Sequence, residues 1–100
     1  MDGLPPHILA DLARRWRLRS VAVFGSTARG EDGPESDLDL LIEFEDDVGW
    51  SLLDVARLQG EVEDITRRRV DLVERRALVN PYRRRSILRD AQPLYGPHGH

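Results

Sequence analysis

The sequence predicts an α/β (α+β) fold in which a small β-sheet carries its helices mainly on one face. Three observations predict this fold: helical and strand-like segments alternate along the chain, three short apolar segments have strand composition, and 100 residues suffice for one core. Residues 1–96 are expected to form one domain and residues 97–100 a flexible tail. The other face of the sheet is expected to be free for a ligand or partner.

The first elements are predicted to be a helix, a strand and a tight turn. Two prolines precede apolar residues at helical spacing, which predicts a helix over about residues 5–17. The segment SVAVF, residues 20–24, is typical of a buried strand and is bounded by Gly25. Residues 26–29 are predicted to begin a short helix. Residues 31–36 have the composition of a loop.

The segment DLDLLIEFE, residues 37–45, alternates apolar and acidic side chains. Because successive side chains of a strand point to opposite faces, Asp37, Asp39 and Glu43 are expected on one face. The opposite, apolar face would carry Leu38, Leu40, Ile42 and Phe44.

The rest of the chain predicts a helix, a strand, a second helix and an edge strand. Ser51 is a candidate cap for a helix that ends near residue 68. The segment VDLVE, residues 70–74, predicts a short strand, and Pro81 opens a helix predicted over residues 81–91. The segment PLY that follows is a candidate edge strand.

The composition excludes several kinds of site. The chain has no cysteine, which excludes disulfides, thiolate metal sites and cysteine nucleophiles. All 15 basic residues are arginine, which excludes a Walker-type phosphate loop and Schiff-base chemistry. The net charge is -3, so a nucleic-acid partner is not expected. With no signal peptide and no apolar run near the roughly 18 residues of a membrane span, a cytoplasmic location is expected.

The paired aspartates need compensation for their mutual repulsion. Two carboxylates two residues apart on one strand face lie about 5 Å apart, where full charges repel by about 3 kcal/mol at an effective dielectric of about 20. Protonation, an arginine or a divalent cation could each compensate. Mg²⁺ prefers oxygen ligands and commonly binds through one or two carboxylates together with substrate phosphates.

The turn at Gly25 and Ser26 favours an anion. A strand that passes into a helix there presents backbone N–H groups and a hydroxyl at the positive end of the helix dipole. Asp71 is a candidate third carboxylate, provided that its strand lies beside the strand of Asp37 and Asp39. A metal-bound nucleoside triphosphate would supply both a cation for the aspartates and an anion for the turn.

Each of these features also has an ordinary structural interpretation. A Gly-Ser pair at a strand end is usually a turn, and a single Asp-x-Asp is more often a solvated strand edge than a metal site. The arginines at residues 67–69 and 83–85 are interpreted as exposed helix ends or, alternatively, as a basic surface for a protein partner or RNA.

Together, the GS turn, the ARGE that follows, SDLDLLIEF and the Asp in VDLV resemble the minimal nucleotidyltransferases, small relatives of the DNA polymerase beta superfamily. The resemblance covers about residues 5–95. It implies the polymerase-beta-like fold with a mixed sheet, bound Mg²⁺, and ATP as substrate. The third carboxylate suits the two ions of a two-metal mechanism. Many such proteins are antitoxins encoded beside a HEPN-domain toxin, and they transfer AMP to a tyrosine of that toxin.

The resemblance also implies roles for single residues. Gly25 and Ser26 would hold the triphosphate, and Arg29 would brace the phosphates or the acidic loop. Asp71 would both bind metal and accept the proton of the incoming hydroxyl. Metal binding would fall to three carboxylates: Asp37, Asp39 and Asp71.

The expected function is therefore that of an Mg-dependent adenylyltransferase antitoxin with a HEPN toxin as its partner. Two alternatives remain open. One is an antitoxin that neutralises the toxin by binding alone, and the other is a nucleotidyltransferase that modifies an antibiotic or another small molecule. The oligomeric state, including a homo-oligomer, is also open.

Overall fold

The computed structural model describes residues 3–31, 33 and 36–96, so the predicted tail at residues 97–100 lies outside the described residues. No helix in these ranges is both long and apolar enough to cross a membrane. All of the predicted helices and strands are present, and the α/β fold class is confirmed. The elements are α1 (Pro6–Trp16), β1 (Leu18–Val23), α2 (Gly25–Arg29), β2 (Leu38–Phe44), α3 (Leu52–Thr66), β3 (Val70–Glu74), a 3₁₀ turn (Arg75–Ala77), α4 (Pro81–Asp90) and β4 (Gln92–Tyr95).

The four strands form one mixed sheet in the order β3-β2-β1-β4. Strand β1 is antiparallel to both β2 and β4, whereas β2 and β3 are parallel. Parallel neighbours need a long crossover connection, which α3 supplies between β2 and β3. In the resulting register Asp39 stands opposite Asp71, and Leu40 stands opposite Leu72.

Helices α1 and α3 cover one face of the sheet, which we call the core face. The alternation of β2 directs its four apolar side chains to this face, as the sequence predicts. Burial of this apolar area is the main favourable contribution to folding. Fully buried side chains on the two sides of this interface include Leu12, Leu38, Leu40, Ile42, Leu58 and Val62.

The opposite face, which we call the carboxylate face, is partly covered by α4. The sequence predicts that this face is free, but Leu41 and Val73 also point to it and require apolar cover. Ile87 of α4 and Leu78 supply that cover. The open part lies at the beginnings of β2 and β3, where the side chains of Asp37 and Asp71 are 54% and 45% exposed.

Helix α3 begins with a capping box. The Ser51 hydroxyl accepts a hydrogen bond from the backbone N–H of Asp54 at 3.2 Å, and the Asp54 carboxylate accepts one from the backbone N–H of Ser51 at 2.9 Å. The hydrogen bond from the Ser51 backbone is the largest cause that lowers the pKa of Asp54 below its ordinary value of 3.8. The charged carboxylate therefore stabilises the start of the helix.

We expect Ser51→Ala to lower the free energy of unfolding by about 1 kcal/mol, because the first turn of α3 loses its cap. For a chain of this size the melting temperature should fall by about 4–8 °C, measured by circular dichroism at about pH 7. Ser86→Ala is the control, since the exposed Ser86 hydroxyl makes no hydrogen bond with a described residue. It should leave stability unchanged or slightly raised.

The effect of Ser51→Ala should also depend on pH. Because the pKa of Asp54 is lowered in the folded protein, its contribution is present above the pKa of the unfolded chain and is lost as the pH falls through the lower, folded value. Ser51→Ala keeps the backbone N–H but removes the Ser51 hydroxyl, which donates to the same carboxylate at 3.0 Å and is the second cause of the lowered pKa. The part of the stability difference that comes from this hydroxyl should therefore shrink between about pH 7 and about pH 3. An equal difference at both values would contradict a contribution from the hydrogen bond between the Ser51 hydroxyl and the charged carboxylate.

Candidate active site

Gly25 allows the turn after β1 to approach Asp39 closely. Phe24 donates its backbone N–H to the Asp39 carbonyl oxygen at 3.1 Å, which joins the two strands at this point. Gly25 then has a φ of +58°, in the left-handed region that favours glycine. A Cβ atom at Gly25 would lie 2.9 Å from Oδ2 of Asp39, closer than real Cβ atoms approach an oxygen. The site thus requires glycine for both backbone conformation and space.

Two hydroxyl groups of α2 hold the Asp39 carboxylate. Ser26 Oγ and Thr27 Oγ1 donate to Oδ2 of Asp39 at 3.3 and 3.4 Å, and Thr27 Oγ1 also accepts from the Asp39 backbone N–H at 3.0 Å. Within the described part of the chain, no hydrogen bond or ion pair reaches Oδ1 of Asp39. One carboxylate oxygen is therefore engaged by α2, and the other is available to a ligand.

Thr27 is a site residue that the sequence analysis did not single out. Its hydroxyl bonds both the backbone and the side chain of Asp39, so it positions that residue more completely than Ser26 does. The available signal was a second hydroxyl residue directly after the Gly-Ser pair, on a short helix that the sequence did predict.

The three predicted carboxylates lie at or just before the beginnings of the neighbouring strands β2 and β3. Asp39 and Asp71 are register partners on adjacent parallel strands, which are about 4.8 Å apart, so their side chains share the carboxylate face. Asp37 directly precedes β2 and lies two positions before Asp39, which puts it on the same side. The structure thus meets the geometric condition on Asp71 that the sequence left open.

Two arginines accompany these carboxylates. Arg83 Nη2 lies 4.0 Å from Oδ2 of Asp71, and Arg69 Nε lies 3.9 Å from Oδ1 of Asp37. Arginine is thus one of the compensating charges, as the sequence analysis allowed. Neither arginine was assigned to the site from the sequence, where both belonged to clusters interpreted as exposed helix ends or a partner surface. The position of Arg69, directly before the strand of Asp71, was the available signal.

Arg29 contacts the acidic loop. It donates from Nε to Glu31 at 2.9 Å and from Nη1 to Asp90 at 2.8 Å, which ties α2 to the end of α4. The hydrogen bond with Glu31 is the largest cause that raises the pKa of Arg29 above its ordinary value. These contacts correspond to the loop-bracing half of the expectation for Arg29, and a contact with phosphates stays a prediction.

The donor set of this site fits magnesium. Across the described ranges, no three Asp, Glu or His side chains form a ready-made metal cage. Mg²⁺ does not require one, because it commonly takes one or two carboxylates and completes its coordination with substrate phosphates and water. Asp39 and Asp71 stand side by side as hard oxygen donors, with an oxygen of Asp39 available. These residues suit an ion that arrives together with phosphates.

The sequence is similar to a nucleotidyltransferase family and to proteins named as adenylyltransferases. The family described as nucleotidyltransferase domain matches residues 6–94. A relative from Methanocaldococcus jannaschii, provisionally named a protein adenylyltransferase, is 37% identical over 79 residues, which are 79% of each chain. The protein adenylyltransferase MntA of Thermococcus cleftensis is 40% identical over 68 residues, which are 68% of this chain and 67% of the relative.

Solved structures agree with the fold. A structure provisionally described as a minimal nucleotidyltransferase is 45% identical, has a TM-score of 0.74, and is matched over 89% of this chain and 88% of its own. A complex of a tri-AMPylated Shewanella oneidensis HEPN toxin with an MNT antitoxin matches 97% of this chain and 74% of its own, with a TM-score of 0.69. At 18% identity this second likeness concerns the fold alone. Together they confirm the fold that the sequence motifs imply.

Proposed function

The chain belongs to the nucleotidyltransferase domain family, and from this premise we propose that it transfers AMP from ATP to a tyrosine hydroxyl of a cognate HEPN toxin. The names of the Methanocaldococcus and Thermococcus relatives support a protein as acceptor. The Shewanella complex, in which an MNT antitoxin accompanies an AMPylated HEPN toxin, supports the kind of partner. The transfer would neutralise the toxin, so the chain would act as an antitoxin.

One observation carries the proposal: Asp39 and Asp71 are register partners on the same face, and the α2 hydroxyls contact Asp39. A cation-binding pair and an anion-binding turn are therefore adjacent, which suits a magnesium nucleotide. We propose that Gly25 and Ser26 contact the triphosphate. Two Mg²⁺ ions would be held by Asp37, Asp39 and Asp71.

The proposed reaction breaks a phosphoanhydride bond of ATP and forms a phosphodiester bond to the acceptor. The tyrosine oxygen forms a bond to the α-phosphorus of ATP, and the bond from that phosphorus to the pyrophosphate oxygen breaks. Asp71 accepts the hydroxyl proton, and Asp39 stays oriented by Ser26 and Thr27. Magnesium, when bound, supplies positive charge that stabilises the attacking and leaving oxygens.

Two exposed apolar side chains that lie near Arg83 along the chain are consistent with a protein acceptor. Val79 and Tyr82 are 86% and 81% exposed, and both lie within four residues of Arg83, which contacts Asp71. Contiguous exposed apolar patches often mark contact sites for other proteins, and these two side chains would suit such a contact. The ATP requirement and the absence of cysteine fit the cytoplasmic location expected from the sequence.

The proposal is tested by incubating the protein with Mg²⁺, ATP and the HEPN-domain protein encoded beside it. ATP labelled on the α-phosphate should label the toxin, whereas ATP labelled on the γ-phosphate should not. Changing the modified tyrosine to phenylalanine should remove the label. Neutralisation without label would favour the binding-only antitoxin, and transfer to a small hydroxyl compound without any toxin would favour the small-molecule alternative.

A further inference from the structure

Arg83 lies beside a carboxylate of the proposed metal site, on the first turn of α4. Its Nη2 is 4.0 Å from Oδ2 of Asp71, and the two side chains are 55% and 45% exposed. The side chain of Asn80 caps α4 by accepting the backbone N–H groups of Tyr82 and Arg83 at 2.9 and 3.2 Å. The cap holds the backbone of Arg83 next to the site. The long side chain of Arg83 remains able to change partners.

A guanidinium and a divalent cation compete for the Asp71 carboxylate, because both are positively charged. The Arg83 to Asp71 pair is long and half exposed, and such surface pairs are weak and easily broken. A cation at Asp71 would repel the guanidinium of Arg83. The capped backbone of Arg83 would nevertheless keep the side chain near the site. Phosphate oxygens that arrive with the cation would give it a new partner, and guanidinium binds phosphate through two parallel hydrogen bonds.

We propose that Arg83 is a nucleotide-binding residue that exchanges counter-ions. It pairs with Asp71 before the metal nucleotide binds, and it moves to a phosphate of the nucleotide when the cation takes Asp71. This inference rests on the proposed function, because it assumes that the site binds a metal nucleotide. It requires that loss of Arg83 has opposite effects on the binding of a metal alone and on the binding of a metal nucleotide.

Two binding measurements on the isolated protein test this requirement. Mn²⁺, which takes the same oxygen ligands, is titrated without nucleotide and followed through the electron paramagnetic resonance of the free ion. Arg83→Ala should bind it about threefold more tightly, since a competing weak pair is gone. Mg²⁺ with α,β-methylene-ATP, which cannot be cleaved at the α-phosphate, is titrated by calorimetry. Here Arg83→Ala should bind about tenfold or more weakly, since a charged hydrogen-bonding partner of the phosphates is gone.

Arg84→Ala is the matched control, because it removes the same charge from the next position of α4. Arg84 is exposed, and its side chain makes no ion pair with a described residue. Both affinities should stay within about twofold of wild type if the effect of Arg83 is specific rather than a general field effect. Arg83→Lys should be intermediate for the nucleotide analogue, because it keeps the charge and loses the two-pronged geometry. Circular dichroism checks that each variant is folded.

The outcomes separate this inference from the proposed function. Equal effects of Arg83→Ala and Arg84→Ala, or weaker Mn²⁺ binding by Arg83→Ala, would overturn the counter-ion exchange. If wild type bound no analogue at all, the exchange and the nucleotide site would both be wrong. If the opposite shifts appeared but no AMP reached a protein, the exchange would stand and only the proposed acceptor would fail.

Discussion

Asp39→Asn should lower the rate of AMP transfer by about 10³-fold or more while the protein remains folded. Asparagine keeps the size of the side chain and one oxygen for the hydroxyls of Ser26 and Thr27. It loses the negative charge that a cation requires. Thermal stability should stay equal or rise, because the repulsion between neighbouring carboxylates at positions 39 and 71 is removed. Single-turnover transfer and thermal unfolding measure the two effects.

Glu45→Gln is the control for this variant. Glu45 lies just past the opposite end of β2, is half exposed, and pairs with Arg17 at 3.5 Å. Its neutralisation should change the transfer rate by less than about twofold, because an exposed pair at the opposite end of β2 from Asp39 contributes little. Retention of more than a tenth of the wild-type rate by Asp39→Asn would contradict the proposed role of Asp39. Full neutralisation of the toxin by a variant that transfers nothing would favour inhibition by binding.

Gly25→Ala should both destabilise the protein and impair the site. The added Cβ would lie 2.9 Å from Oδ2 of Asp39, and an alanine would have to adopt a φ of +58°. We expect a loss of about 1–3 kcal/mol in the free energy of unfolding, because a non-glycine residue is strained in this region. We also expect a loss of about 10²-fold in transfer rate, because a displaced carboxylate misaligns the reacting groups. Urea unfolding and single-turnover transfer measure these effects.

Two other glycines separate conformational strain from the contact with Asp39. Gly30 has a φ of +72°, but a Cβ there would meet no atom within 4 Å, so Gly30→Ala should cost about 1–2 kcal/mol and spare the transfer rate. Gly60 lies inside α3 with equal space, so Gly60→Ala should stabilise the protein by about 0.5–1 kcal/mol. If Gly25→Ala transferred AMP as fast as Gly30→Ala, the contact with Asp39 would be irrelevant to function.

Single helices, strands and caps could be predicted closely from the sequence. The first and last residues of the strands could be predicted less closely. The strand at residues 70–74 is present with the predicted bounds, and Ser51 caps α3 as expected. Strand β1, in contrast, begins at Leu18 rather than at residue 20, because Leu18 pairs with Phe44 across the sheet. The pairing partner, and not the local composition, decides where such a strand begins.

The amino-acid sequence by itself determined the features that depend on near neighbours along the chain. The period of two from residue 37 onward put Asp37 and Asp39 on one side, and the residue types at Gly25 and Ser26 specified the turn and one of its hydroxyls. The family resemblance rests on these same local motifs, and the comparisons confirm it.

Only the tertiary structure decided which distant residues meet. The register that sets Asp71 beside Asp39, the cover that α4 gives to Leu41 and Val73, and the approach of Arg83 to Asp71 all join residues far apart in the chain. The physical reason is that strand register follows from packing whole apolar faces together, since a slip of one residue would turn every buried side chain outward. That balance involves the complete core, and no short stretch of sequence contains it.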